Sequence, residues 1–164
     1  MAELFDLNKT RFHENSMIAN PERFDKTIAL FDAANAQDPN PDEGQPKELL
    51  YAQRMTAMID RFAADASEVA QLAVRAQHIR RWTVPRSNYP LGKPGYFAWR
   101  TGLYRFHAET AGKLMQQAGY AEAMIEQVKS AVSKQGIKTN PDTQMLEDVT
   151  SLVFIESYML GFAG

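Results

Sequence analysis

The 164-residue sequence contains no cysteine, which removes disulfide bridges, thiolate zinc sites and cysteine nucleophiles from consideration. Histidine and carboxylate side chains are the strong metal ligands that remain, so any metal site must use nitrogen and oxygen donors. The chain has no apolar run of about 18 residues, and its first residues have neither a basic start nor an apolar stretch. We therefore expect a cytoplasmic protein that does not span a membrane.

No segment alternates apolar and polar residues at period two, which is the pattern of a half-buried β-strand. Apolar residues recur instead at helical spacing, and 45% of the chain is hydrophobic, which suits an ordinary globular core. The sequence predicts an all-α fold, a compact single-domain bundle of five to seven helices. This domain is expected over residues 20–164, after an N-terminal arm over residues 1–19.

Three sequence features predict where helices begin. Asn20 and Asn140 each precede a proline, which is the order of an N-cap residue and a first helical residue. Asp65 is followed three residues later by Glu68, the spacing of a capping box, and this predicts a helix from about 66 to 81. Further helices are expected at about 20–36, 46–62, 95–118 and 121–134 and from about 140 onward. The apolar residues at their predicted core positions include Phe24, Phe31, Leu50, Met58, Phe62, Leu103, Val149 and Phe154.

Prolines and glycines crowd the segment from Thr83 to Pro94, so we expect it to be irregular. The surrounding stretch is strongly basic, whereas the whole chain has a net charge of −2, which argues against nucleic acid as a partner. An excess of positive charge in one stretch indicates an anionic partner, internal or external. Seven basic residues and no acidic one lie in this stretch, namely Arg75, Arg80, Arg81, Arg86, Lys93, Arg100 and Arg105.

Four ionisable residues stand at positions where the helical pattern places the core: Arg54, His78, His107 and Asp148. Buried ionisable groups are costly unless they pair or bind a metal, so four of them together indicate a site. An internal salt-bridge network, such as Arg54 or Arg100 with Asp148, is the alternative that needs no ligand. Taken alone, His78 could also be a core histidine or one favoured by a helix C-terminus.

Several strings of uncommon residue types recur in the order typical of one protein family. They include Ala76-Gln-His-Ile-Arg-Arg-Trp82, Phe106-His-Ala-Glu109 and Leu146-Glu-Asp-Val149. Over roughly residues 22–161 the chain resembles the family catalogued as domain of unknown function 4202, whose members are often labelled glutamyl-tRNA synthetase. The sequence gives that label no support, because it lacks a nucleotide-binding βα unit and is far too short for that enzyme.

A more distant similarity is to the HD superfamily, all-α phosphohydrolases whose metal is held by a histidine, a His-Asp doublet and a later aspartate. This resemblance implies that His78 is the doublet histidine and Asp148 the later aspartate. Ile79 stands where the doublet aspartate is expected, and helix residues Gln53 and Arg54 stand where the first histidine is expected. The missing ligands would have to be replaced by His107 and Glu109.

The resulting hypothesis is an HD-like, metal-dependent hydrolase that acts on a phosphate-bearing small molecule or nucleotide. One divalent metal ion, held by His78, His107 and Asp148, would lower the pKa of a bound water, and Glu109 or Glu147 would accept its proton. The phosphate would be bound by arginines, and a base or ring would be covered by aromatic side chains. The residues expected in these ligand-binding roles are Arg54, Arg81, Arg86 and Arg100, with Trp82 and Tyr89.

An alternative from another class is a non-catalytic anion- or nucleotide-binding helical module with a buried salt-bridge network. In it, the same arginines bind the ligand, and the histidines only form hydrogen bonds. A purely structural helical adaptor is a third possibility. Metal content is the observation that best separates the first hypothesis from the other two.

Overall fold

The computed structural model describes residues 17–159, in which six α-helices account for most of the chain. A two-stranded antiparallel hairpin, two short 3₁₀ turns and a terminal π-helix connect or extend them. The predicted all-α fold is therefore confirmed. The α-helices are α1 (Pro21–Asn35), α2 (Lys47–Phe62), α3 (Glu68–Ala76), α4 (Lys93–Ala118), α5 (Glu122–Val132) and α6 (Pro141–Val153). The other elements are β1 (Pro41–Asp42), β2 (Gln45–Pro46), the 3₁₀ turns Arg81–Thr83 and Arg86–Asn88, and the π-helix Phe154–Met159.

Two of the three predicted helix caps are confirmed. The Asn20 side chain accepts a hydrogen bond from a backbone N–H in the first turn of α1, and Asn140 does the same for α6. The third prediction was wrong, because Ser67 caps α3 in place of Asp65. Glu68, the expected partner in a capping box, is buried and accepts a hydrogen bond from the Tyr120 hydroxyl, so its carboxylate is engaged elsewhere.

The third helix is shorter than predicted, since α3 ends at Ala76 and not near residue 81. Arg80 adopts a left-handed conformation with φ of 55°, which a continuing α-helix does not allow. Its backbone N–H donates to the side-chain oxygen of Asn35 at 3.0 Å, a contact with the buried end of α1. The chain therefore turns away from the helix axis after His78.

Helix α3 lies at the centre of the bundle. Eight of its nine residues are buried, so it presents no solvated face, and it packs against α2, α5 and α6. The fully buried side chains around it come from every α-helix. They include Phe31, Met55, Ile59, Leu72, Ile79, Met115, Val128, Leu146 and Val149.

Two predicted core residues lie at the surface, Phe62 at 52% exposure and Phe154 at 50%. The buried stripe of α2 ends at Ile59, and that of α6 ends at Val153, where the chain passes into the π-helix. Each phenylalanine follows the last buried residue of its helix, so it extends beyond the core. Sequence periodicity could not show where the opposing helices stop.

The segment Thr83 to Pro94 is irregular, as predicted, apart from the 3₁₀ turn Arg86–Asn88 and the start of α4 at Lys93. The predicted N-terminal arm, residues 1–19, lies largely outside the described residues, although Ile18 is buried in the main core. Within residues 17–159, no helix is both long enough and apolar enough to cross a membrane.

A substitution at Gly95 tests how closely α4 approaches the loop before it. A Cβ atom at Gly95 would lie 1.8 Å from the Pro90 carbonyl oxygen, so the backbone would have to move. We expect Gly95→Ala to lower the free energy of unfolding by about 1–3 kcal/mol, measured by urea denaturation. This loss should occur although alanine favours a helix more than glycine does.

Gly102→Ala is the matched control on the same helix. Its Cβ would meet the hydroxyl end of the Tyr89 side chain at 2.8 Å, and a side-chain end can move where a backbone carbonyl cannot. We expect Gly102→Ala to lower the free energy of unfolding by less than Gly95→Ala does. Equal stability of Gly95→Ala and the unsubstituted protein would contradict the close approach.

Candidate functional site: a basic cleft

A cleft of about 410 Å³ opens where the end of α3, the middle of α4, the connection after α5 and the outer face of α6 meet. Its volume is within the range of small-molecule sites. We call it the basic cleft, because it contains three cationic side chains and one carboxylate. It is lined by Gln77, His78, Arg81, Arg100, Leu103, Tyr104, His107, Lys134, Ile137, Glu147 and Thr150.

Two of the three cations have aromatic neighbours instead of carboxylates. The Arg81 guanidinium lies 5.5 Å from the centre of the Trp99 ring, and Arg100 donates hydrogen bonds to the hydroxyls of Tyr96 and Tyr104. In the part of the chain that the structure describes, neither arginine forms an ion pair with a carboxylate. Their guanidinium groups are thus held in place without a direct ion pair.

The third cation, Lys134, forms an ion pair with Glu147 of α6. Lys134 has a left-handed backbone, with φ of 63°, as does Arg80 directly before Arg81. Non-glycine residues adopt this conformation at an energetic cost, and such residues cluster at functional sites. Two cations of the cleft are therefore positioned by strained backbone.

His107 faces the cleft from α4 as a neutral ring. Its Nδ1 atom lies 2.8 Å from the Ile79 carbonyl oxygen, which can only accept, so Nδ1 carries the proton and Nε2 is the acceptor. Burial is the main cause that lowers the pKa of His107 to about 3, and the neighbouring His78 adds to it. Arg100 lies seven residues earlier, two helical turns away, and so shares this face of α4.

His78 lies beside His107, with ring centres 6.1 Å apart, and stacks on Tyr51 at 4.1 Å and an interplanar angle of 10°. Burial, followed by the charge of Arg81, holds the pKa of His78 well below its ordinary value. The Tyr51 hydroxyl donates to the side-chain oxygen of Gln77, which fixes the stack. Both histidines are uncharged near neutral pH, so arginine and lysine supply the positive charge of the cleft.

Glu48, which the sequence analysis missed, completes this group. Its Oε1 atom lies 3.4 Å from Nδ1 of His78, and its side chain is 6% exposed. Burial raises the pKa of Glu48 from 4.5 to about 7, although Arg81 and Lys47 act in the opposite direction. An acidic residue in the first turn of a helix is usually a solvated group that favours the helix dipole, so nothing in its immediate surroundings indicated burial.

A second cavity of about 300 Å³ lies next to the basic cleft and shares part of its wall. His78, Arg81 and Thr150 line both, so they form the boundary between the two spaces. We call the second space the aromatic chamber, because three aromatic rings line it. Its lining consists of Lys47, Glu48, Tyr51, His78, Arg81, Thr150, Phe154 and Tyr158.

Of the four arginines predicted to bind phosphate, Arg81 and Arg100 lie in the basic cleft, and Arg54 and Arg86 do not. Arg54 contacts Asp42 at 3.8 Å and Glu43 at 3.1 Å, so its charge is paired with the hairpin. The sequence analysis suggested Asp148 as an ion-pair partner of Arg54, but the partners are Asp42 and Glu43.

Arg86 donates to the backbone carbonyls of Tyr89 and Pro90 and holds the loop together. The two aromatic residues predicted to cover a ring, Trp82 and Tyr89, line neither the basic cleft nor the aromatic chamber. The Tyr89 hydroxyl instead faces Gly102 of α4. Arg86 and Tyr89 therefore hold the loop beside the site.

The two predicted proton acceptors lie in different places. Glu109 is exposed and lies 3.6 Å from Lys129 on α5, in another groove of the surface. Glu147 does line the basic cleft, where it is paired with Lys134. Only Glu147 therefore shares a cavity with His78 and His107.

The predicted metal ligands are brought together only in part. His78 and His107 are neighbours, but Asp148 does not line their cleft, and its carboxylate accepts a hydrogen bond from Gln144 of the same helix. Among residues 17–159, no three histidine, aspartate or glutamate side chains are grouped so that they could hold a metal ion. These residues do not fit the predicted site, and the metal stays a prediction from the sequence.

The fold and the cleft together define an all-α protein with a concave cationic site beside titratable residues that burial shifts toward their uncharged forms. Residues 25–164 match the family described as "Domain of unknown function (DUF4202)", and the chain belongs to this family. The resemblance noted in the sequence is thereby confirmed. No curated protein and no solved structure matches the chain.

The raised pKa of Glu48 makes protein stability depend on pH. Between pH 4.5 and 7 the carboxyl ionises in the unfolded chain while the folded protein keeps it protonated, so its contribution to stability falls as pH rises. Glu48→Gln removes this dependence. We expect the unfolding free energy of Glu48→Gln, relative to the unsubstituted protein, to rise by about 3 kcal/mol between pH 4.5 and pH 7.5.

Urea denaturation at each pH measures this difference. The histidines are present in both proteins, so the part of their opposite pH dependence that does not come from Glu48 cancels in the comparison. A difference in unfolding free energy that stays constant over this range would contradict the buried, protonated carboxyl.

Proposed function

We propose that the protein is a binding module for a small phosphate-bearing ligand, which occupies the basic cleft. The observation that carries this proposal is the pair Arg81 and Arg100, which line one concave site without a carboxylate partner among residues 17–159. Guanidinium groups bind phosphate oxygens through paired hydrogen bonds, so an oxyanion is the ligand that suits them best.

Electrostatics supports an anion at this position. Arg81, Arg100 and Lys134 place three positive charges around one cleft, whereas Glu147 supplies one negative charge. Like charges held close together raise the energy of an empty site, and a bound phosphate relieves that repulsion. The neutral His107 adds an acceptor nitrogen, which suits a hydroxyl group next to the phosphate.

The HD-like, metal-dependent hydrolase is the second candidate, and one observation favours it. Nδ1 of His78 lies beside the Glu48 carboxyl, and Nδ1 of His107 lies beside the Ile79 carbonyl. Histidines that bind metal through Nε2 are commonly held by such a partner on the other nitrogen. Two imidazole rings are too few ligands to define a metal site, so no reaction step is assigned to a metal.

Phosphate titration tests the proposed function. Added inorganic phosphate or pyrophosphate should raise the melting temperature more than chloride at the same ionic strength, because only the oxyanion forms paired hydrogen bonds with arginine. Arg100→Ala should weaken phosphate binding about tenfold or more, measured by NMR titration. Arg100 is exposed, so this variant should fold.

Lys113→Ala is the matched control, because it removes one positive charge from the far part of α4, outside the basic cleft. It should leave phosphate affinity unchanged. Equal responses to chloride and phosphate, or an unchanged affinity in Arg100→Ala, would contradict the proposal. A phosphate response that a chelator abolishes would favour the metal-dependent candidate.

The ion pair between Lys134 and Glu147 predicts a variant that binds phosphate more tightly, whereas Arg100→Ala should bind it less tightly. Glu147→Gln removes the carboxylate that competes with a bound anion, so phosphate affinity should increase about three- to tenfold in NMR titration. Glu122→Gln, an exposed change of the same charge on α5, should have little effect. Weaker phosphate binding in Glu147→Gln would mean that Glu147 serves the ligand instead of opposing it.

A further inference from the structure

We propose that the aromatic chamber holds the flat ring of the same ligand whose phosphate the basic cleft binds. The ligand class is then a phosphate ester of an aromatic or heteroaromatic group, which includes nucleotides. This inference rests on the proposed function, since it assigns the part of the ligand that lies beyond the phosphate.

The first argument is adjacency. His78, Arg81 and Thr150 line both spaces, so a ligand that reaches past the Arg81 side chain would occupy both. A phosphate held by Arg81 and Arg100 would have its ester oxygen near this boundary. The rest of the ligand can then enter the chamber, which has about 300 Å³ of space.

The second argument is the shape and polarity of the walls. Tyr51 and Tyr158 lie with ring centres 6.2 Å apart and tilted by 48°, and Phe154 forms a third wall. Phe154 is 50% exposed, which leaves a large apolar surface in contact with water next to a cavity. Aromatic walls of this kind favour a flat apolar ring, which gains both burial and ring-to-ring contact.

The aromatic walls are held in place by polar partners. Arg54 donates a hydrogen bond to the Tyr158 hydroxyl at 3.2 Å, and its guanidinium lies 5.4 Å from the Tyr158 ring centre. Tyr51 is fixed by its stack on His78 and its hydrogen bond to Gln77. Arg54, expected from the sequence to bind phosphate, is therefore a positioning residue for the chamber.

The third argument is a polar group that could recognise the ring. Glu48 lines the chamber, and its side chain is 6% exposed, so few water molecules can reach it. A carboxyl group on the wall of a largely apolar chamber is a polar partner that gives a heteroaromatic ring one preferred orientation.

The test compares phenyl phosphate with methyl phosphate, two esters that share the phosphate and differ in the ring. NMR titration of the full chain measures both affinities. Phenyl phosphate should bind about tenfold more tightly, because only its ring can be buried against Tyr51 and Phe154. Phe154→Ala should reduce this preference to about threefold or less while the methyl phosphate affinity stays unchanged.

Phe62→Ala is the matched control, since Phe62 is 52% exposed, similar to Phe154, and lies outside the chamber. It should keep the full preference for phenyl phosphate. Arg100→Ala should weaken both esters by the same factor, and circular dichroism checks that each variant folds.

The outcomes separate the two proposals. Equal affinities for the two esters, with binding that depends on Arg100, would overturn the chamber assignment and leave the proposed function intact. An equal loss of preference in Phe62→Ala and Phe154→Ala would also overturn the chamber assignment. Absence of binding for both esters would overturn the proposed function, and the chamber assignment with it.

Discussion

The hydrogen bond from the Arg80 backbone N–H to the Asn35 side chain sets the geometry of the whole site. It holds Arg80 in the left-handed conformation that ends the helical path after α3. Ile79 then stays in the core, where its carbonyl accepts a hydrogen bond from Nδ1–H of His107, while Arg81 is directed into the basic cleft. Helix α1 thus positions a site formed mainly by later parts of the chain.

The buried titratable side chains and the charged side chains occupy different parts of the site. Groups in the interior, Glu48, His78 and His107, are shifted by burial toward their uncharged forms, because a low-dielectric environment disfavours ionisation. The groups that keep their charge, such as Arg100, lie at the opening. A ligand with an anionic end and a neutral end would therefore meet matching surroundings at each depth, and water would compete mainly at the anionic end.

The overall fold could be predicted from the sequence, because helical periodicity and the caps at Asn20 and Asn140 are local features. Residues of the site were predicted where they lie on a long, regular helix: Arg100 and His107 share one face of α4, as expected. The helical pattern predicted Arg54 at a core position of α2, whereas its side chain is partly exposed. The buried stripe of α2 follows Tyr51, Met55 and Ile59, and Glu48 begins that stripe three residues earlier.

The remaining errors came from tertiary contacts that a single sequence does not reveal. Glu147 of α6 faces the cleft, whereas Asp148 lies beside the buried stripe of the same helix. Consecutive residues of a helix point in different directions, so a prediction that is wrong by one residue selects the wrong side chain. The aromatic chamber depends on Phe154, which periodicity assigned to the core. Its position follows from the change from α- to π-helix after Val153, which no local pattern of residues indicates.

The all-round burial of α3 has a consequence for how the chain folds during synthesis. Helix α3 is covered in part by α5 and α6, and these two helices begin about fifty or more residues after the start of α3. Until they leave the ribosome, the largely apolar segment from Val69 to Val74 is only partly covered, and its exposed surface can aggregate. Non-local contacts of this kind also slow folding. Cooperative closure of the bundle must then wait for the C-terminal half, and the basic cleft is among the last features to form.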